Sequence, residues 1–289
     1  MKGLFITILI PLLLVGCGAP TLQTEVAPAP FTAEEFAKVD GSTVTIPLTE
    51  SLAEKLLAIE NGAEVIKHNK TSQAIRNLIE GKAKIIFTTH PSEKEIAEAG
   101  DQGVEFEITP VVRDAFVFLV NDKNKVNSVS QQQLKDIYSG RITNWSAVGG
   151  ENLSIMAFQR NEGSGSQSGM LTFMGDTKLA EVPTERYMAG MSGLVETIIA
   201  PDNGAASVGY SYYYYVNAMY IKDGVKLLAV DGVEPSSENI QSGAYPLAAS
   251  YYAIIRKDAA KDSFARRLLN YVLSEDGQRV VTECGYVGL

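Results

Sequence analysis

Residues Arg160-Asn-Glu-Gly-Ser-Gly-Ser166 bring together the groups that hold an oxyanion. A polar, glycine-broken turn follows the apolar run Leu153–Phe158, and the next segment, "QSGMLTFMG", reads as the start of a helix. A helix N-terminus offers unpaired N–H donors and the positive end of its dipole. Arginine adds a planar, permanently charged fork able to grip two oxygens at once. Glycines allow the backbone to come close to a ligand. The same "GSGS" would also serve as a plain flexible turn, so the rest of the chain has to decide.

Two further loops have the same character. "DGSTVT" (Asp40 to Thr45) precedes the first long helical pattern and "NKTS" (Asn69 to Ser72) the second. Each puts hydroxyls where an N-cap sits. Simple capping would explain any one of them. Three such loops, one with arginine, point to a convergent anion site. Ligands of open α/β sheets bind outside the carboxyl ends of strands, at helix N-termini.

The elements that would position these loops alternate between short apolar runs and helical segments. "STVTIPL" leads into the helical "TESLAEKLLAIENG". "AEVIKHN" and "AKIIFTTH" read as strands, and "SQAIRNLIEG" and "PSEKEIAEAGDQG" as helices. "VEFEITPVV" and "DAFVFLVN" read as two further strands. A second block starts near Asn121. It contains the helix "SVSQQQLKDIYSG", the strand "LSIMAF", the glycine loop, the helix "SGLVETIIAPDNG" and the strands "AASVGYSYYYYV" and "VKLLAV". "YPLAASYYAIIRK" is a long strand, and the C-terminal segment reads as one or two amphipathic helices. This alternation predicts an α/β protein with mixed, mostly parallel sheets flanked by helices, arranged as two lobes joined by extended crossings. The expected division is lobe 1 from 38–118 and 247–289 and lobe 2 from 119–246, with the ligand cleft between them.

The N-terminus fixes the expected location. "MKGLFITILIPLLLVGC" carries Lys2 and then an apolar run too short to span a bilayer comfortably, which reads as a signal peptide over residues 1–16. It ends in Leu14-Val15-Gly16-Cys17, which looks like a bacterial lipobox, so Cys17 is expected to be lipidated and to become the first mature residue. Residues 17–37, beginning rich in Pro, Ala and Thr, suit a tether between lipid and folded body. After processing only Cys284 remains free, leaving no internal disulfide and no cysteine metal cluster. The formal net charge of −9, becoming −10 once residues 1–16 are removed, argues against nucleic acid and against an electrostatic grip on anionic lipid. It does not exclude an anionic ligand, because local donors govern a buried site.

"DGSTVTIPL", "GKAKIIFTT", "LKDIYSGRITNW", "RNEGSGSQSGMLTF" and "ASVGYSYYYY" occur in an order and spacing that resemble the phosphate-binding proteins of bacterial phosphate ABC transporters. The resemblance covers roughly residues 38–289 and is most specific in the glycine loop and in "IYSGRITNW". It implies a two-lobed periplasmic-binding-protein fold of type II kind, often lipid-anchored outside the cytoplasm and here expected to be monomeric. It also implies a phosphate held between the lobes and delivered to membrane permease subunits powered by an ATPase. The matching ligand positions are Ser42 and Thr43, then Thr71 and Ser72, then Arg160, Ser164, Gly165 and Ser166. Ser192 is added because "MAGMSGLVETI" opens a helix where the family turns towards the cleft.

Some family members carry an aspartate at the end of the third strand that accepts the phosphate's own hydrogen. Thr89 stands there in this chain, uncharged and unable to repel a fully ionised anion. Lys84 occupies a usually acidic position and reads either as favouring a more negative ligand or as lying on a solvated face. His68 and His90 are the only histidines, with no metal-ligand spacing around them, so neither a metal nor a cofactor is expected. His90 is placed near the cleft. The tyrosines Tyr212 to Tyr215 suit core packing and a hinge contact better than a stacking platform, and Trp145 reads as a packing residue. The enzyme reading finds little footing. The loop lacks the Gly-x-Ser-x-Gly elbow, the dinucleotide fingerprint fails at Ser168, and no phosphate-loop lysine is present. A binder of another oxyanion or phosphorylated solute on the same scaffold, and a sensor that has lost transport, remain as alternatives.

Overall fold

The computed structural model describes residues 31–289. The expected signal peptide, Cys17 and most of the expected tether lie outside the described residues. The last part of that tether, residues 31–37, is packed instead. Thr32 and Glu35 close a reciprocal capping box around the short helix Ala33–Phe36. Phe31 and Phe36 are buried with their rings edge-on to Phe264, at centroid distances of 6.0 and 5.7 Å. The Pro/Ala-rich composition ends just before these two aromatic anchors.

One strand organises the sheet. Residues 106–121 form a single 16-residue strand. Its first part pairs antiparallel with Ala248–Arg256, down to Ala115 opposite Ala248. Its second part pairs antiparallel with Ser207–Tyr212, from Phe116 opposite Tyr212. The strand therefore crosses between two halves of a seven-stranded sheet. On one side Ile85–Thr88 pairs antiparallel with Ala248–Arg256 and parallel with Val39–Gly41. On the other, Met156–Ala157 pairs parallel with Ser207–Tyr212, and Val225–Leu227 lies antiparallel to the crossing strand. The sheet is mixed, and its longest pairings are antiparallel where the β/α alternation predicts mostly parallel ones. The reason is that the two crossing strands run against each other.

Several local expectations fail for identifiable reasons. The polar pair Arg113-Asp114 suggests a break between two strands. Arg113 instead points outward and donates to Gln241 O at 3.1 Å, while Asp114 turns inward and is buried, so the strand continues. Within "STVTIPL", Thr43–Thr45 form a 3-10 turn that runs into the helix Ile46–Leu57, whose first turn accepts Pro47 because that position needs no N–H. "AEVIKHN" holds only the 3-10 turn Gly62–Glu64; the sheet position goes to the three-residue Val39–Gly41. The tyrosine run stays extended only to Tyr212 and then coils into the π-helical turn Tyr215–Met219.

The crossing region is built on aromatic contacts. Tyr214 stacks on Tyr286 at 3.6 Å, and Tyr251 lies edge-on to both Tyr212 and Tyr286. Asp114 sits among them. Its carboxylate accepts from Ala115 N at 2.8 Å, from Tyr214 N at 3.1 Å and from the Tyr251 hydroxyl. Among the described residues no cation accompanies it, and burial pushes its pKa up to about 7 against the pull of those three donors. Trp145 is buried and donates to Ala206 O at 3.0 Å, as a packing residue.

Candidate anion-binding site

Several chain segments converge on one cavity of about 350 Å³. Ser42 and Thr43 come from the turn after Val39–Gly41, Thr71 opens the helix Thr71–Ile79, and Thr89 follows Ile85–Thr88. From the other side come Arg160 and the loop ahead of the helix Gly165–Met174, together with the start of the helix Met191–Ile199. Every residue expected in the site lines this cavity except Ser72. Ser72 Oγ lies instead 2.7 Å from Glu95 Oε1 and 2.9 Å from Gly163 O, with its one hydrogen shared between these acceptors, so it ties the second loop to the glycine loop beside the cavity.

The approach of the two sides is close. A Cβ at Gly165 would lie 2.7 Å from Thr89 Oγ1 and 3.0 Å from Thr71 Oγ1. Only glycine lets this backbone reach the two threonines. Gly163, at φ +79°, makes the turn, and a side chain there would meet Ser72 Oγ at 2.8 Å. Farther out, Lys94 Nζ and the exposed Glu162 Oε1 form an ion pair at 2.9 Å.

Arg160 is 5% exposed. Its backbone N–H donates to Tyr210 Oη at 2.9 Å and to Gln167 Oε1 at 3.3 Å, and the Tyr210 hydroxyl in turn donates to Gln167. Its Nε donates to Met188 O at 2.8 Å and its Nη2 to Ala189 O at 3.4 Å. These bonds hold the guanidinium plane. Nη1 is buried and has no protein partner. Among the described residues no carboxylate pairs with Arg160, and burial holds its guanidinium below its usual range. Burying a charge without a counterion is costly, and that cost is relieved when an anion binds. Ser166 Oγ is likewise buried without a partner on the same wall.

Three helix starts open on this space, and only one is capped by its own side chain. Ser164 Oγ accepts from Gln167 N at 3.1 Å. That leaves the Gly165 and Ser166 N–H groups, which have no partner within the helix. The helix Thr71–Ile79 begins after Lys70, which makes no side-chain cap and holds a φ of 67° that favours glycine. Gly190, ahead of Met191–Ile199, has no side chain with which to cap. The hydroxyls of Thr71 and Ser192 are therefore not consumed by capping.

Residues outside the expected set complete the wall. Tyr212 and Tyr215 line it. Tyr212 Oη donates to Gly165 O at 3.2 Å and faces Thr89, and Tyr215 faces Ser192. Burial raises both phenols, so each is a neutral hydroxyl at neutral pH. The separation of three residues between them, which puts both on one side once the chain coils, is the signal the strand reading hides. Beneath the wall, His68 Nδ1 donates to Ser42 O at 2.8 Å and its Nε2 lies 3.0 Å from Thr49 Oγ1; burial lowers its pKa, so it is neutral. Asp40 is buried and accepts from Asn69 N at 2.7 Å, Asn69 Nδ2 at 2.9 Å and Asn77 Nδ2 at 2.7 Å, pinning the second loop. His90 lies instead over Tyr252 in a neighbouring hollow, and Lys84 is on a solvent-exposed face away from the cavity.

The chain is similar to known proteins along most of its length. A family model described as a PBP superfamily domain matches residues 19–276. The phosphate-binding protein PstS of Bacillus subtilis is 28% identical over 251 residues, 86% of this chain and 79% of that protein. The PstS of Borreliella burgdorferi is 25% identical over 262 residues, covering 89% and 91%. Among solved structures, one from Clostridium perfringens with bound phosphate superposes with a TM-score of 0.67 at 23% identity, covering 87% of this chain and 98% of that one. An ABC-type phosphate transport receptor from Vibrio cholerae gives 0.65 at 23% identity, covering 87% and 99%. The fold is that of the periplasmic binding proteins.

Proposed function

The chain belongs to the PBP superfamily, and on that premise we propose that it captures inorganic phosphate in the cavity around Arg160 and delivers it to the permease of an ABC transporter. It is a binding protein and not an enzyme. The observation that carries the reading is the buried Arg160 guanidinium, with Nη1 unpartnered and, among the described residues, no carboxylate paired with it, facing hydroxyls and helix N-termini contributed from both sides of the cleft. Each donor left unmatched in such a cleft costs roughly 1–3 kcal/mol, and a tetrahedral anion satisfies several of them together. The relatives named phosphate-binding proteins support the choice of phosphate.

Residues 38–118 with 247–289 and residues 119–246 act as the two lobes, and the crossing strand 106–121 with Ala248–Arg256 acts as the hinge region between them. Ligand contacts made by both lobes favour the closed arrangement, which is how binding shifts the hinge equilibrium. Cys17 carries the lipid that holds a monomeric protein on the outer side of the cell membrane; the Leu14-Val15-Gly16-Cys17 sequence supports this. Calorimetric titration with phosphate, after unfolding and refolding to strip bound ligand, tests the reading. Saturable binding of one phosphate per chain is expected. A folded protein that takes up no phosphate would contradict it.

A further inference from the structure

We propose that this site accepts fully ionised tetrahedral oxyanions, with sulfate as the test case, about as readily as phosphate, because its wall does not read the proton that phosphate carries. The proposal rests on the reading of the cavity as an oxyanion site and concerns which members of that class it takes.

The argument is an inventory of acceptors. A hydrogen phosphate differs from sulfate in bringing one O–H, which must donate to something when buried. A site selects for that proton when it presents a group that can only accept, a carboxylate above all, because a fully ionised anion then faces an acceptor with no hydrogen between them. This wall offers donors that cannot accept: Arg160 Nη1, the first-turn N–H groups of Gly165 and Ser166, and Lys70 at the rim. Its remaining polar side chains are mainly hydroxyls, among them Thr71, Thr89, Ser166 and Tyr215. A hydroxyl rotates to donate or to accept, so it serves a protonated and an unprotonated oxygen alike.

No carboxylate on the wall is free to accept, and among the described residues the other lining side chain with an oxygen that cannot donate is Asn161, whose amide can turn its NH2 to the ligand instead. Glu162 is the one carboxylate bordering the cavity among the described residues; its side chain is 83% exposed and paired with Lys94. Asp40 lies beneath, saturated by backbone and amide donors from Gly41, Asn69 and Asn77. Several carbonyls around the cavity already accept as well. Those of Met188 and Ala189 accept from Arg160, and that of Ser42 from Thr45 N at 3.1 Å and from His68. Those of Val44 and Gly165 accept from Tyr286 and Tyr212. Among the described residues the buried charge on this wall is the positive Arg160, so the site gains from full ionisation of the ligand and loses nothing for want of its proton.

The two anions differ in how they titrate, which supplies the test. Sulfate keeps its charge across the neutral range, whereas phosphate gains its second negative charge near neutral pH. Calorimetric titration of the purified full chain in detergent with sodium sulfate and with sodium phosphate, at about pH 6 and about pH 8, reads the difference, since any titration of the protein itself moves both anions together. We expect sulfate to bind within about tenfold of phosphate at the higher pH, and phosphate affinity to rise relative to sulfate affinity between the two pH values. Phosphate binding with sulfate weaker by more than about a hundredfold would overturn the proposal and leave the phosphate reading intact. A folded protein that binds neither anion would overturn the phosphate reading itself.

Discussion

Asp114 gives the most quantitative check on the architecture. It is buried at the point where the crossing strand passes from Ala248–Arg256 to Ser207–Tyr212, and its three hydrogen bonds come from neutral donors. Burial lifts its pKa from the model-compound value of 3.8 to about 7. A displacement of about 3 pH units corresponds to on the order of 4 kcal/mol. The sign is the reverse of the usual salt-bridged aspartate. The folded state here holds its proton longer than the unfolded chain does. Stability from this group is therefore fully present below about pH 4 and is lost as pH rises towards about pH 7, at up to roughly 1.4 kcal/mol per pH unit, with no further loss above that. Asp114→Asn keeps an acceptor for the Ala115 and Tyr214 N–H groups and removes the titration. Urea denaturation of both proteins between about pH 4 and about pH 8 should show wild type losing on the order of 4 kcal/mol relative to the variant. Parallel stability curves across that range would show that Asp114 titrates in the ordinary carboxylate range, and the claim that burial outweighs its three donors would be wrong.

Two substitutions probe the cavity. Arg160→Ala removes the charge-assisted donor fork and should weaken phosphate binding by at least about a hundredfold by calorimetry, while unloaded stability changes little or rises because an uncompensated buried charge is gone. Gly165→Ala puts a Cβ within 2.7 Å of Thr89 Oγ1 and 3.0 Å of Thr71 Oγ1, so phosphate affinity should fall by about tenfold or more while far-ultraviolet circular dichroism stays unchanged.

Much of the site was legible because its chemistry is local. The glycine loop and the two hydroxyl loops carry their own signal, and the structure gathers all of them but Ser72 at one cavity. Ser72 looked equivalent to Thr71 in sequence. The unusual backbone of Lys70 starts the helix at Thr71, leaving Thr71 on the cavity and turning Ser72 towards Glu95 and Gly163. Tyr212 and Tyr215 were hidden because whether a run of tyrosines stays extended is decided by tertiary packing: Tyr214 is held by Asp114, Cys284 O and Tyr286, residues far away in the chain. Asp40 and His68 were missed for the same reason, since their partners belong to other segments. The continuous strand 106–121 looks like two in sequence, since a polar pair in an apolar run ordinarily marks a break. Here the inward Asp114 finds three donors across the sheet, which one sequence window cannot reveal.

The central claim is that an oxyanion occupies the cavity on Arg160. A crystal structure of the protein grown with arsenate, whose arsenic is located by anomalous scattering, tests it most directly. The account predicts one strong peak in the cavity, with arsenate oxygens within hydrogen-bond distance of Arg160 Nη1, Ser166 Oγ and the N–H groups of Gly165 and Ser166. A fully occupied arsenic site elsewhere, with Arg160 Nη1 still unpartnered, would contradict it.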